Sequence, residues 1–129
     1  MGKEIKVSID IDGTINSSDT AISFFKIMTH LLCPEANIII LTSREPGTEG
    51  QIAEELSGMG IVYDQIVITD NKQQYIKDNN ISVVFENEDE RIKNLGKEIL
   101  VLKVREDGNY NFQTYRWYAS KDTTEMIDG

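Results

Sequence analysis

A chain of 129 residues fits one domain of ordinary size, and at that length about two-thirds of the unfolded surface can be buried without a disulfide or a structural metal. Hydrophobic residues make up 40% and charged residues 27%, which excludes wholesale disorder, and the single cysteine, Cys33, excludes a disulfide framework and a cysteine-rich zinc cluster. Thirteen Lys and Arg against 22 Asp and Glu leave a net charge of -9, which repels a phosphate backbone, so nucleic acid is not an expected partner.

Short apolar runs alternate with helical patterns, the arrangement of a parallel sheet with crossover helices. Residues Lys3 to Asp12 place Ile5, Val7, Ile9 and Ile11 at period two and predict a first strand ending at Gly13-Thr14. Ser17, Ser18 or Asp19 offers an N-cap, and Phe24, Ile27, Met28, Leu31 and Leu32 predict a helix with that face buried, stopped by Pro34. Asn37 to Thr42 is a continuous β-branched run, as in a strand covered on both faces. A capping box at Thr48 to Gln51 then opens a second helix, with Ile52, Ala53 and Leu56 inward and Gly58 or Gly60 near its end.

A third strand falls at Gln65 to Thr69, a short helix after Asp70-Asn71 carries Tyr75 and Ile76, and a fourth strand spans Ile81 to Phe85. A short helix through Ile92 and Leu95 ends at Gly96, and Glu98 to Val104 gives a fifth strand. The tail from Arg105 resists assignment; it holds five aromatic residues and a capping box at Asp122 to Glu125. The plan is a single α/β domain over residues 1–129, doubly wound, with a core at 3–104 and an extension at 105–129. No apolar run approaches the roughly 20 residues that span a bilayer, and no signal-peptide pattern opens the chain, so a cytoplasmic protein without a membrane partner is expected.

Open parallel sheets bind ligands at the C-terminal ends of their strands. There the first strand delivers Asp10 and Asp12, the second Thr42, Ser43 and Arg44, and the fourth Glu86 and Asn87, while Lys72 opens the helix leading to the fourth. These groups suit phosphoryl transfer. Asp10 is ionised at neutral pH and can act as a nucleophile, crowded carboxylates call for a divalent cation, and all-oxygen ligands favour magnesium. Thr42 can donate to a phosphate oxygen and Lys72 can neutralise developing charge.

Asp10-Ile11-Asp12-Gly13-Thr14 resembles the DxDGT motif of haloacid dehalogenase-like phosphatases, and Thr42, Lys72 and Glu86-Asn87 are similar to that family's next three motifs in order. The resemblance implies a three-layer Rossmann-like fold with strand order 5-4-1-2-3 and a magnesium-dependent reaction through an aspartyl-phosphate. It makes Asp10 the nucleophile, Asp12 the general acid-base, and the Asp10 carboxylate, the Asp12 backbone carbonyl and an acid of the Glu86-Asn87 motif the metal-binding set. Glu86-Asn87 stands where the family usually has two aspartates. The segment from Asn16 to Asp19 is too short for a flap and no cap domain is present, so the pocket should be open, fit for a large substrate or a lid from a partner subunit.

Thr42 to Thr48 is similar to the SGRExGT stretch in the phosphatase domain of polynucleotide kinases and to segments of small nucleotidases, which makes Ser43 and Arg44 candidate substrate contacts. The acidic composition favours a mononucleotide or other small phosphate ester over a polynucleotide. The competing reading is a phosphate-binding or regulatory module that keeps the fold without turnover. A receiver-type signalling domain fits less well, because Asp10 and Asp12 share one strand. Blander roles are weighed too: Lys72 as a solvated first-turn lysine, Arg44 in an ion pair with Glu45 or Glu49, His30 on the surface, Cys33 inert, and the tail aromatics packed on a sheet edge or a dimer partner.

Overall fold

The computed structural model of the protein describes residues 5–119. Strand β1 (Ile5–Ile9) is followed by a tight turn (Ile11–Ile15), helix α1 (Asp19–Leu32), β2 (Ala36–Thr42), α2 (Glu49–Met59), β3 (Gln65–Ile68), α3 (Lys72–Asp78), β4 (Val83–Glu86) and β5 (Leu100–Lys103). A two-stranded hairpin, β6 (Tyr110–Asn111) and β7 (Arg116–Trp117), follows. The five main strands pair in parallel in the order β3-β2-β1-β4-β5, the expected order counted from the other edge. The winding reverses between β1 and β4, which pair from Val7↔Val83 to Ile9↔Phe85.

Two apolar layers sandwich the sheet. Val7, Ile9, Ile38 and Ile40 pack against Phe25 of α1 and Ile52 and Leu56 of α2, while Ile39, Leu41 and Val84 meet Ile76 of α3 on the other face. Each such side chain, fully buried, contributes about 1.5–3 kcal/mol. The run from Asn37 to Thr42 therefore reads as continuously apolar because neighbouring residues feed opposite layers.

Several boundaries move. β1 ends at Ile9, and Ile11 and Asp12 belong to a tight turn: Gly13 takes φ +81°, a left-handed conformation suited to glycine, and the Ile15 N–H donates to the Asp10 carbonyl at 3.4 Å. Ser18 is the N-cap of α1, accepting from the Ala21 N–H at 3.0 Å. The expected inward face of α1 is corrected: Phe25 and Thr29 are buried, Ala21, Met28 and Leu32 pack beside them, and Phe24, Ile27 and Leu31 are exposed. The helix carries two overlapping apolar stripes, and the sheet selects one.

At α2, Thr48 does not cap through its side chain; its hydroxyl donates instead to the Glu45 carbonyl at 2.7 Å, and Gly60 closes the helix with φ +75°. The short helix expected through Ile92 and Leu95 is a single 3-10 turn, Asp89–Arg91, followed by irregular turns. The capping box at Asp122 to Glu125 lies outside the described residues.

Candidate functional site

Asp10, first residue past β1, is tied to β4 by its N–H, which donates to the Phe85 carbonyl at 3.0 Å. Its carboxylate is buried at the point where the winding reverses. Lys72 begins α3, whose N-cap Asn71 accepts from the Gln74 N–H at 3.2 Å and so sets where the first turn starts. From there Lys72 Nζ donates to Asp10 Oδ1 at 2.6 Å and to Glu86 Oε1 at 2.9 Å, with its side chain 2% exposed. The alternative of a solvated surface lysine is thereby excluded.

The other oxygens of this triad are also engaged. Asp10 Oδ2 accepts from the Thr14 hydroxyl at 3.0 Å, and Glu86 Oε2 accepts the N–H groups of Asn87 and Glu88 at 3.1 and 3.2 Å. Asn87 Oδ1 lies 3.4 Å from the Thr14 hydroxyl, and its Nδ2 donates to Glu106 at 3.0 Å. Thr42 is buried at the end of β2, where its hydroxyl accepts the Arg44 N–H at 3.2 Å.

One ammonium thus serves two carboxylates. Burial, reinforced by the Asp10 charge, pushes the Glu86 carboxyl up to about 7 against the pull of Lys72. Burial disfavours the Lys72 ammonium, but the charges of Asp10 and Glu86 outweigh it and raise its pKa above the ordinary value.

Asp12 and Arg44 form a second, more exposed cluster. Arg44 Nε and Nη2 donate to the two Asp12 oxygens at 2.9 and 2.8 Å, a bidentate clamp, and Asn16 Nδ2 donates to Asp12 Oδ1 at 3.1 Å. On its far side Arg44 donates to Glu55 Oε2 and Oε1 at 2.7 and 3.0 Å, not to Glu45 or Glu49. The Arg44 hydrogen bonds hold both Asp12 and Glu55 below the usual carboxylate range. Ser43 sits beside this cluster, its oxygen 3.5 Å from an Arg91 guanidinium nitrogen. Clefts of about 370 and 350 Å³ flank the rim: one is bordered by Asn87, Glu88, Asn109 and Tyr118, the other by Ser43, Arg44, Thr69 and Asp70.

The strand ends therefore bring Asp10, Thr14, Lys72, Glu86 and Asn87 into one hydrogen-bonded group, with Asp12 and Arg44 paired separately. Thr14, Glu55 and Glu106 carry contacts that sequence reasoning did not assign. Thr14 was visible inside the Asp-Gly-Thr turn, but nothing in the chain marks Glu55 or Glu106 before the fold brings them near.

The magnesium site expected from Asp10, Asp12, Glu86 and Asn87 gains no support from this arrangement. Among the described residues no group of three or more His, Cys, Asp or Glu side chains is placed to hold a metal ion. Lys72 supplies the positive charge between Asp10 and Glu86, and the Asn87 amide is taken up by Thr14 and Glu106.

No family model matches the chain, and no curated protein matches it. Among solved structures, the crystal structure of a universal stress protein in complex with cAMP is similar at 15% sequence identity and a TM-score of 0.50, covering 81% of this chain and 98% of that one. At this identity the likeness concerns the fold: a three-layer, Rossmann-like α/β architecture. The expected membership of the haloacid dehalogenase-like phosphatases is corrected accordingly, since no family model carries it and the structural likeness is to a protein of another kind. With it falls the magnesium-dependent phosphomonoesterase acting through an aspartyl-phosphate. No helix among the described residues is long and apolar enough to cross a membrane.

Proposed function

We propose that the chain is a small-nucleotide-binding module that takes its ligand at the C-terminal rim of the sheet and acts by binding, without turnover. The observation that carries this reading is the buried Asp10-Lys72-Glu86 group at the winding reversal, the place where open α/β sheets bind ligands, with a cleft beside it. Such a group holds the crevice rigid and polar. The cleft next to Asn87 offers acceptor oxygens for ribose hydroxyls or exocyclic amino groups and the Tyr118 ring for stacking on a base. Arg44, already paired with carboxylates, can exchange one of them for a phosphate oxygen.

Charge narrows the ligand. Carboxylates outnumber cations at this rim, so a singly charged nucleotide is favoured over a di- or triphosphate whose charge is bare. The cAMP in the similar universal stress protein belongs to that singly charged class. Calorimetric titration with cAMP, AMP and ATP, each with and without magnesium, tests the reading, with the mixtures assayed afterwards for product. Saturable binding of at least one nucleotide with the ligand recovered intact supports it. Absence of binding to all three, or conversion of any, overturns it.

A further inference from the structure

One flank of α1 is taken by α2: His30 Nε2 lies 3.1 Å from the Gly60 carbonyl oxygen, and the Lys26 side chain lies against Gly60. The opposite flank carries Phe24, Ile27 and Leu31, which are 51%, 61% and 72% exposed. That flank faces the β4-β5 side of the sheet, for Phe24 stacks edge-on against Phe25, and Phe25 against Phe85 of β4, each pair of rings 5.3 Å apart. Side chains alternate along β5. Val101 packs on the α3 face, so Leu100 and Leu102 turn to the α1 face, where they are 57% and 40% exposed. Among the described residues, then, β4 and β5 have a covered face toward α3 and an open apolar strip beside α1.

We propose that a second copy of this chain docks on this strip, the exposed flank of α1 in each protomer lying over β4 and β5 of the other about a two-fold axis. The surface is self-complementary: the strip lacks an apolar helix face, and the same molecule presents one next to it. An isologous contact needs that property. The five apolar side chains form a patch on the order of 400–500 Å², high within the roughly 300–600 Å² that a monomer's largest patch shows. That is about half of the roughly 800 Å² per partner of a stable dimer, so the two-fold contact is a weak one that forms and dissociates with concentration. The flank carries no charge, since Thr20 and Ser23 are its polar members. The opposing force is long-range repulsion between two chains of net charge -9, which salt screens.

Sedimentation velocity of the full chain over a range of concentrations, at low and high salt, tests the proposal. A monomer-dimer equilibrium that tightens with salt is expected. Leu31→Glu and Leu100→Glu should each weaken it at least about 10-fold, with far-ultraviolet circular dichroism unchanged, because both side chains already face solvent in the protomer. Tyr115→Glu, at an exposed position on the β6-β7 hairpin, should leave the dimer intact. A chain that stays monomeric at every concentration, a dimer that survives both leucine substitutions, or equal weakening by Tyr115→Glu overturns it.

Discussion

Lys72 and Asp10 meet at 2.6 Å although 62 positions separate them, and both side chains are nearly closed off from solvent. A buried ammonium of this kind is tolerated because two carboxylates share it, and each carboxylate depends on it in turn. Removing the ammonium leaves two buried carboxylates facing each other. Lys72→Met should therefore lower the unfolding free energy by about 3–5 kcal/mol, the range for breaking a buried pair. Adding Glu86→Gln should recover part of the loss at pH 8 to 9, where Glu86 would otherwise be ionised beside Asp10, and little of it at pH 6, where burial and the Asp10 charge keep Glu86 protonated. Urea denaturation of the two variants checks this, and a double variant less stable than Lys72→Met would contradict it.

The Glu86 carboxyl gives stability a particular pH dependence. Burial and then the Asp10 charge raise it to about 7 in the folded chain, against 4.5 when unfolded. Between those values the folded state holds a proton that the unfolded chain has released, so stability from this group is full below about 4.5 and is lost as pH rises through about 7. Denaturant midpoints measured from pH 4.5 to 8 should fall more steeply in the wild type than in Glu86→Gln. Parallel profiles would show that this carboxyl does not titrate as described.

Arg44→Ala tests the exposed clamp. Asp12 is held below its ordinary value of 3.8 first by its hydrogen bond to Arg44, so it contributes stability above that value, lost as pH falls through the depressed one. Without Arg44 its titration, followed by carboxyl carbon NMR, should move up toward 3.8. The stability cost should be about 1 kcal/mol or less, because the pair is largely solvent-screened. Nucleotide affinity, where Arg44 serves the phosphate, should fall at least about 10-fold.

Gly13 is required twice, by its φ of +81° and by space: a Cβ there would run into Asn87 Nδ2. Gly13→Ala should destabilise the fold by about 1–3 kcal/mol through strain and displace Asn87 from Thr14. Combining it with Asn87→Gly removes the clash but not the strain, so the double variant should lose less than the sum of the two single losses. Thermal unfolding of the three variants measures the difference; full additivity would mean that the two residues do not touch.

The gathering of Asp10, Lys72 and Glu86 was legible in the chain because each lies at the C-terminal end of a parallel strand or at the start of the helix behind one. What those groups do to one another was not legible. The same residue types can surround a metal ion or neutralise each other, and the choice turns on whether the Lys72 ammonium reaches between the carboxylates and whether Arg44 draws Asp12 outward. The final hairpin escaped notice for a related reason: two-residue strands carry no periodicity, and β6 and β7 are held by ring contacts of Tyr110 with Phe112 and Trp117.

Local order determined the strand runs, a cap for α1 among Ser17, Ser18 and Asp19, the turn at Gly13 and the parallel doubly wound plan, because period, capping chemistry and glycine conformation act over a few residues. Tertiary structure alone decided which stripe of α1 enters the core, which carboxylate Lys72 and Arg44 each take, and the absence of a metal-ligand group among the described residues. Those outcomes depend on distances between residues remote in the chain, which no local pattern encodes.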